Sequence, residues 1–463
     1  MSPLADARFV TGSLWRHVVV MSLTSSIGLM AIFAVDLIDM IFIAMLGNAA
    51  LAAAIGYAGT ILFFTNAINI GVSIAAGALV ARAVGAGQHL EAHEVATSVA
   101  SFGLLTAIVV PAVILSQLTS ILALLGATDE VLAFAWRYCA ITLPAMGLMS
   151  LAMTSMAVMR GYGDATRPMW VTLAGGVVNA ILDPLLIFGF GLGLDGAAIA
   201  AVCGRFALAA LAVGLALRHY SAYVPPSAAL LRRDFAAVSR LAFPAVLTNV
   251  ATPVGAGIMT RIMAGYGTDA VAGMAIIARL TPVAFAVTLA LSGAIGPIIG
   301  QNAGAGRPER VRGAFTAALQ FTALYVLGAA LTLAVLRAPL AAAFQAEGLT
   351  RDLLVLFCGP LALFMFFNGA IFVANASLNN LGRPFQSTAI NWGRHTLGTA
   401  PFAIAGGTFY GAAGALIGQA LGGVVFAMIA IVVAIRAMEA PAAPEPFAEQ
   451  HQWHRLWARF GVR

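Results

Sequence analysis

Apolar stretches of about 20 residues or more recur along the whole chain, and they limit its possible folds more than any other feature. A helix of about 20 apolar residues crosses a ~30 Å hydrocarbon core. Of the 463 residues, 61% are hydrophobic and only 9% are charged, which is not typical of a soluble domain. The chain is therefore predicted to be an all-α polytopic membrane protein. About twelve spans are expected, near 15–43, 50–80, 95–118, 131–159, 167–190, 195–217, 236–263, 270–298, 315–337, 351–378, 385–407 and 412–437.

All 24 basic residues are arginines, and their positions predict the orientation of the chain. With a cytoplasmic N-terminus, 17 arginines lie on the inside, four lie at the outer side, and Arg205, Arg279 and Arg394 lie within spans. Because cytoplasmic loops carry an excess of basic residues, both termini are predicted to be cytoplasmic. The net charge of +6 then belongs to loops near lipid headgroups, and no nucleic-acid partner is expected.

The two halves of the sequence repeat each other. A shift of 215–220 residues aligns "GAGQ" (85–88) with "GAGR" (304–307), Pro144 with Pro360, and "DGAAIA" (195–200) with "YGAAGA" (410–415). Repeats of six spans keep the two halves in the same orientation, as in transporters built around an axis along the membrane normal. Two pseudo-symmetric six-helix bundles are expected, with an N-lobe at 1–217, a cytoplasmic linker at 218–240, a C-lobe at 241–437 and a cytoplasmic tail at 438–463.

The predicted tail carries apolar side chains at helical spacing: Trp453, Leu456, Trp457 and Phe460. Arginines fall on another face of the same stretch. This pattern is compatible with a short helix on the inner leaflet, which would make membrane lipids a partner, and equally with a disordered tail.

Acidic residues embedded in the predicted spans are confined to the N-lobe. Asp36, Asp39 and Asp183 all align with uncharged residues of the C-lobe. A charged side chain at the bilayer centre costs roughly 2.5–3.5 kcal/mol even on insertion scales, so intramembrane acids indicate function by default. Symmetric packing does not require acids in one lobe alone, whereas a dedicated ion site does.

The spacing of these acids suits proton binding. Asp36 and Asp39 share one helix face, and two carboxylates in a poorly solvated cleft cannot both ionise cheaply. They are expected to titrate as a pair. Asn179 and Asp183 are four residues apart, so the amide can reach the carboxylate. A purely structural interpretation stays open for each pair: a protonated aspartate bonded to a neighbouring helix, or a satisfied polar pair at a kink before Pro184.

The sequence resembles the multidrug and toxic compound extrusion (MATE) family. The stretches that carry the resemblance are "DMIFIAMLGNAALAA", "ARAVGAGQHLEA", "MRGYGDATRPMW", "VVNAILDPLLIFGFGLGLDGAAIA" and "GQNAGAGRPERVRGA", which span both halves. The resemblance implies a twelve-helix exporter in a bacterial cytoplasmic membrane. Such an exporter moves small hydrophobic or cationic compounds against an inward flow of protons or sodium ions, without a cofactor.

The resemblance also implies roles for individual residues. Asp39 and the Asn179–Asp183 pair match functional positions of the family, and Tyr138 matches a tyrosine of the fourth helix. Because the C-lobe spans carry no embedded acid, the chain looks closest to the DinF-like branch, which is described as proton-coupled through the N-lobe. The proton or cation coupling site is therefore expected at Asp39, Asp36, Asp183, Asn179 and Tyr138. A helix-one proline of the family is absent, which puts its bending model in doubt here.

Several alternatives bear on this interpretation. Sodium coupling through the carboxylate and amide oxygens of the same site stays open. A lipid-linked sugar flippase of the same superfamily also stays open, and fourteen spans or an arginine-lined cavity would favour it. "GYGD" (161–164) imitates an intramembrane protease motif but lies in an arginine-flanked loop, and "HLEAH" (89–93) lacks a third metal ligand. We expect neither an enzyme nor a metal site, and we expect a monomer. The sequence assigns no substrate-binding residue.

Overall fold

The computed structural model describes residues 7–46 and 48–439, and nearly all of them are helical. A 3-10 turn at Arg8–Val10 precedes the first helix, and π-helical turns occupy Leu185–Gly189 and Phe357–Leu361. The α-helices are α1 Leu14–Ala44, α2 Ala49–Gly85, α3 His89–Ser116, α4 Leu118–Leu124, α5 Asp129–Thr142, α6 Met146–Gly161, α7 Thr166–Pro184, α8 Gly193–Tyr220, α9 Ala228–Ala264, α10 Thr268–Ala284, α11 Ala286–Gly304, α12 Pro308–Ala343, α13 Gly348–Leu356, α14 Met365–Asn380, α15 Pro384–His395 and α16 Ala400–Glu439.

The described helices give the twelve predicted crossings. Eight helical stretches are long and apolar enough to cross a membrane, and three bent helix pairs raise this number to 11 if each pair is one span. One of the eight, Pro384–Glu439, has 56 residues, far more than the ~20 needed for one crossing. It contains non-helical dihedral angles at Tyr410 and Gly411, where α16 reverses direction. It therefore crosses twice, and the predicted gap between 407 and 412 lies at this reversal.

Glycines make the reversal in α16 possible. A Cβ atom on Gly406 would collide with the carbonyl oxygen of Gly414, and one on Gly422 would collide with that of Gly398. Each close contact pairs a residue before Gly411 with one a similar distance after it, as expected for two antiparallel arms. Small residues allow helix backbones to approach closely in a membrane.

Prolines explain the bends in two of the three broken spans. The helices α5 and α6 meet at 51° around Pro144, and the stretches Gly348–Leu361 and Met365–Asn380 meet at 62° just after Pro360. A proline lacks an N–H donor and clashes with the preceding turn. The repeat aligns these two prolines, so the matched bends are a structural trace of the duplication. Helix α1 has no such break and runs unbroken from Leu14 to Ala44.

The two lobes contact each other along α1, α2, α9 and α11. Helix α2 packs on α9, and the repeat-equivalent pair α1 and α11 packs in the same way. Gly71 of α2 lies so close to Val246 of α9 that a Cβ atom there would overlap its backbone. At the end of α2, Gly85 lies against the backbone of Gln301, while Gly304 lies against that of Arg82.

Both ends of the described chain lie at one end of the bundle, called here the terminal end. Arg312 contacts Glu439 at 3.4 Å, and Arg310 donates to the backbone oxygens of Thr11 and Gly12 at 3.1 Å. The opposite end is called the far end. The predicted tail at 438–463 lies beyond the described residues except for Met438 and Glu439.

The N-terminal segment closes the terminal end between the lobes. The Phe9 N–H donates to Gln301 Oε1 at 2.9 Å, and Gln301 Nε2 donates to the Gly161 carbonyl of the N-lobe at 2.8 Å. The Phe9 side chain is buried against C-lobe apolar side chains. One residue of α11 therefore ties the segment and both lobes together.

The segment predicted as the linker, 218–240, is mostly helical. Helix α8 continues to Tyr220 and α9 begins at Ala228, so the non-helical connection is 221–227. The first turns of α9 pack on the N-lobe, because buried Asp234 accepts a hydrogen bond from Ser98 at 2.6 Å.

Candidate functional site

Small residues bring α7 close to two N-lobe helices. Gly176 faces Val35 of α1, and a Cβ atom added to this glycine would lie only 3.0 Å from Val35 Cγ2. Gly175 leaves no room for a side chain beside Leu208 of α8. One helical turn after Gly176, Asn179 therefore lies opposite Asp39, which follows Val35 by one turn.

Asn179 joins two carboxylates near the far end of the N-lobe. Its Nδ2 atom donates to Asp39 Oδ1 at 3.0 Å, to Asp39 Oδ2 at 3.1 Å and to Asp183 Oδ2 at 2.8 Å. The predicted pairing of Asn179 with Asp183 on one helix face is present. The contact with Asp39 links α1 to α7, which sequence spacing could not show.

The three groups of this cluster are poorly solvated. Asp183 is 1% exposed and Asn179 is 7% exposed, while Asp39 is half-buried. The second oxygen of Asp183, Oδ1, has no hydrogen-bond partner among the described residues. A buried acceptor without a donor is costly, and a bound proton or cation would satisfy it. The cluster can therefore change its charge by taking up a small cation.

Tyr138 of α5 lies near these acids but outside their hydrogen-bond network. It is close enough to Arg205, Asp39 and Asp183 to interact electrostatically with them. No hydrogen bond links its hydroxyl to either acid among the described side chains. Arg205 of α8 donates instead to the Thr142 carbonyl at 2.6 Å. The sequence signal for Arg205 was its position inside an apolar span, which by itself assigned no role.

Asp36 and Asp195 are not among the described members of this cluster. The side chain of Asp36 lies outside the described part of the chain, so its predicted place in the site is untested. Asp195, at the start of α8, forms an ion pair with the exposed Arg137 of α5 at the far end. An exposed pair of this kind contributes little to stability.

The acid of the "GYGD" stretch has a structural role. Asp164 accepts hydrogen bonds from the Thr166 N–H at 2.9 Å, the Tyr220 hydroxyl at 2.7 Å and Arg167 Nη1 at 2.5 Å. Burial alone would raise the pKa of Asp164, but the hydrogen bonds from Tyr220 and Arg167 outweigh it and lower the pKa below its ordinary value. The side chain caps the start of α7 and fixes the loop to the end of α8.

A cavity of about 410 Å³ lies between the lobes, on the terminal-end side of the acid cluster. Its described lining includes Ile32 of α1, seven residues or about 10 Å along the helix from Asp39. The lining residues are mostly apolar, small or carboxamide-bearing, and the one charged residue among them is Arg160. Pockets for small organic molecules have volumes of this order.

The C-lobe carries two basic residues, Arg394 and His395, at the position equivalent to Asn179 of the N-lobe cluster. His395, which aligns with Asn179, packs against Gly255 of α9. The neighbouring Arg394 forms a short hydrogen bond to the Asn368 side-chain oxygen of α14. The helical ladder breaks just after these residues, between α15 and α16. Discontinuous helices near the midplane commonly form binding sites in transporters.

Comparison with known proteins agrees with this architecture. The MatE family model matches the chain twice, at residues 25–185 and 244–404. The FAD transporter of Shewanella oneidensis is 31% identical over 415 residues, covering 86% of this chain and 89% of that protein. The probable multidrug resistance protein NorM of Thermotoga maritima is 24% identical over 350 residues, covering 73% and 74%.

Solved structures show the same fold. A mutant of the Vibrio cholerae MATE transporter VcmN superposes with a TM-score of 0.87 at 26% identity, covering 94% of this chain and 98% of that one. An outward-facing MATE transporter of the MOP superfamily superposes with a TM-score of 0.86 at 20% identity, covering 94% and 98%. Since the family model matches most of the chain and both repeats, this protein belongs to the MATE family of transporters and is not an enzyme.

Proposed function

We propose that this transporter is a secondary antiporter that exports small organic compounds in exchange for protons, with Asp39, Asn179 and Asp183 as the coupling site. The observation that carries the proposal is the single Asn179 amide that bonds both carboxylates across two helices. Two carboxylates held by one amide repel each other, and a proton between them relieves that repulsion. Loading and release of protons therefore change the bonds between α1 and α7.

Helix α1 connects this site to the rest of the transport path. It carries Asp39 near its far end, lines the inter-lobe cavity through Leu29 and Ile32, and packs on α11 of the C-lobe. A change at Asp39 can therefore alter the lobe contact through one rigid element. An ion drives transport only if the two conformations differ in their affinity for it.

The arginine distribution favours a cytoplasmic location for the terminal end. On that assignment the lobes are closed towards the cytoplasm by the N-terminal segment and by the contact of α2 with α11. We place the protein in a bacterial cytoplasmic membrane, as a monomer in contact with its lipids. Release of a compound on the far end, followed by opening of the terminal end, completes one cycle.

The experiment uses the full chain in proteoliposomes, with ethidium as a cationic probe and with a pH gradient and a sodium gradient imposed separately. Efflux is expected under the pH gradient and is expected to be lost in Asp39→Asn and Asp183→Asn. Asp195→Asn is the matched control, because that half-buried acid pairs with the exposed Arg137 outside the cluster. Normal pH-driven efflux in both cluster variants would refute the coupling site.

Sodium coupling is the main alternative for the driving ion, because carboxylate and amide oxygens also bind hard cations. Efflux that responds to the sodium gradient alone would select it. The flippase alternative loses support, since the described helices accommodate twelve crossings rather than fourteen and the described cavity lining includes a single arginine.

The substrate has a second candidate class. The described lining of the cavity contains no carboxylate to attract a cationic drug. The relative from Shewanella oneidensis that covers most of this chain is an FAD transporter. We therefore propose flavin nucleotides as substrates to be tested beside cationic and hydrophobic drugs.

A further inference from the structure

We propose that Arg160 and Arg394 recognise the anionic group, a phosphate or carboxylate, of the exported compound. This inference rests on the proposed export function and names the part of the substrate that the inter-lobe cleft binds. It concerns residues of the cavity and the C-lobe, outside the acid cluster of the N-lobe.

The first observation is the charge of the cavity. Its described lining contains carboxamide and hydroxyl side chains and one ionised group, the guanidinium of Arg160. The spans predicted near 131–159 and 167–190 leave Arg160 in the loop between them, whereas the structure places it in the last turn of α6, facing the cavity. A site built for a cation would instead present carboxylates or aromatic faces.

The guanidinium of Arg160 forms no ion pair and no hydrogen bond with any described residue. The nearest acid in sequence, Asp164, is already held by Arg167 and Tyr220. A guanidinium carries five N–H donors in a planar fork that matches phosphate or carboxylate. Leaving these donors unpaired in a cavity is costly, and an anionic ligand would satisfy them.

Arg394 lies on the interior face of α15. It follows Asn391, which lines the cavity, by three residues, and it is seven residues from the buried Ser387. Its partner Asn368 precedes Phe372 of α14 by four residues, and Phe372 also lines the cavity. The Arg394–Asn368 pair therefore continues two cavity-lining helix faces towards the far end.

Arg394 keeps free donors as well. The one hydrogen bond of its guanidinium among the described residues goes to the neutral Asn368, and no described acid forms an ion pair with it. The end of α15 offers some compensation, because cations are favoured at a helix C-terminus. Removing one charge from water without a counter-charge is still unfavourable, and an anion would offset that penalty.

Groups of opposite charge thus lie at separate places along the transport path: the acid cluster of the N-lobe, Arg160 at the end of α6, and Arg394 on α15 of the C-lobe. Acids of the N-lobe suit a small cation, while Arg160 and Arg394 suit an anion. A compound that carries a phosphate or carboxylate would contact the guanidinium groups and leave the acids free to exchange protons. The antiported species then bind at separate places.

The test measures equilibrium binding to the purified full chain, without any gradient. The probes are flavin mononucleotide and riboflavin, which differ by one phosphate. Flavin mononucleotide is expected to bind more tightly, and Arg160→Gln and Arg394→Gln are each expected to weaken its binding by about ten- to one-hundred-fold. Riboflavin binding is expected to stay the same in both variants.

Arg261→Gln is the matched control, because this arginine of α9 is exposed. Arg160→Lys and Arg394→Lys keep the positive charge but lose the planar guanidinium donors. An intermediate loss of flavin mononucleotide binding is therefore expected. These lysine variants also carry the test if a glutamine variant fails to fold. Equal binding of the two flavins by the original chain would overturn the inference. So would an arginine variant that loses as much affinity for riboflavin as for flavin mononucleotide.

Two further arms separate the possible outcomes. Nanodiscs of phosphatidylcholine with and without phosphatidylglycerol distinguish a solute from a lipid phosphate: displacement of flavin mononucleotide by the anionic lipid would refute a solute site. Asp39→Asn is expected to keep the binding difference between the flavins. If the chain binds flavin mononucleotide more tightly than riboflavin but shows no pH-driven transport, the coupling proposal alone is refuted. If it transports ethidium but binds the two flavins equally, the anion site alone is refuted.

Discussion

Gly85 and Gly304 occupy equivalent positions in the two repeats, and each packs against the helix that carries the other. Gly85 of α2 contacts the backbone of Gln301, and Gly304 of α11 contacts the backbone of Arg82. Arg82 and Gln301 are also repeat equivalents, because each precedes the glycine of its own helix by three residues. A two-fold relation between the lobes produces this reciprocity, as it does in a symmetric dimer interface.

Larger side chains at these glycines are expected to force the terminal end apart. In Gly85→Ala and Gly304→Ala the added Cβ would overlap opposing backbone, which cannot move as a side chain can. Overpacking costs roughly 1–3 kcal/mol and shifts backbone. We expect increased labelling of a cysteine introduced at Gly161, measured with a membrane-impermeant thiol reagent on both sides of oriented vesicles.

The control for these variants is Gly214→Ala on α8, where an added Cβ meets nothing within 4 Å. It tests whether a lost helical glycine by itself changes labelling. Unchanged labelling in the Gly85 and Gly304 variants would contradict a tight closure at this point.

The glycines of α16 give a sharper comparison between neighbours. Gly422→Ala places a Cβ against the Gly398 carbonyl, whereas Gly423→Ala places one in open space. Alanine favours a helix over glycine by up to about 1 kcal/mol, so Gly423→Ala is expected to be neutral or stabilising. Gly422→Ala is expected to lower the thermal unfolding temperature in detergent. Equal unfolding temperatures would mean that the two arms of α16 do not touch at this level.

Asn179 is expected to set how the two carboxylates respond together. Asn179→Leu keeps a similar volume but removes the donor to Asp39 and Asp183. Two acids without their shared donor are expected to give a pH profile of efflux that differs in midpoint and steepness from the original chain. Measuring efflux across the neutral pH range checks this, with Val177→Leu, an exposed position on the same helix, as control. Identical pH profiles would remove Asn179 from the coupling site.

Asp164 is expected to add stability that depends on pH. Its pKa is lowered by the hydrogen bonds from Tyr220 and Arg167, so the folded state favours the ionised form. The stabilisation is therefore present above the unfolded value of about 3.9 and is lost as pH falls through the folded value. Asp164→Asn is expected to cost roughly 1–3 kcal/mol near pH 7.

That cost is expected to shrink as the pH falls below about 4, because the carboxyl is protonated first in the unfolded chain and, at lower pH, in the folded chain as well. Thermal unfolding of both chains from acidic to neutral pH measures it. Asp195→Asn is the reference, since its exposed ion pair is expected to change stability little at any pH. A cost that does not vary with pH would show that the charge of Asp164 contributes nothing.

The sequence by itself determined the class of fold and named Asp39, Asn179 and Asp183 among its candidate site residues. Apolar length gave twelve crossings, because a bilayer requires about 20 apolar residues per helix whatever the rest of the fold. The repeat gave two equivalent lobes. Local spacing paired Asn179 with Asp183, since residues four apart share a helix face.

Only the tertiary structure decided which groups meet across helices. It placed Asp39 on the Asn179 amide and left Tyr138 outside that hydrogen-bond network, because the depth and rotation of packed helices depend on every side chain between them. It also placed Arg160 at the cavity, although the predicted spans leave this residue in a loop. Helical periodicity fixes neighbours within one helix, whereas the position of one helix against another depends on packing that no single segment encodes.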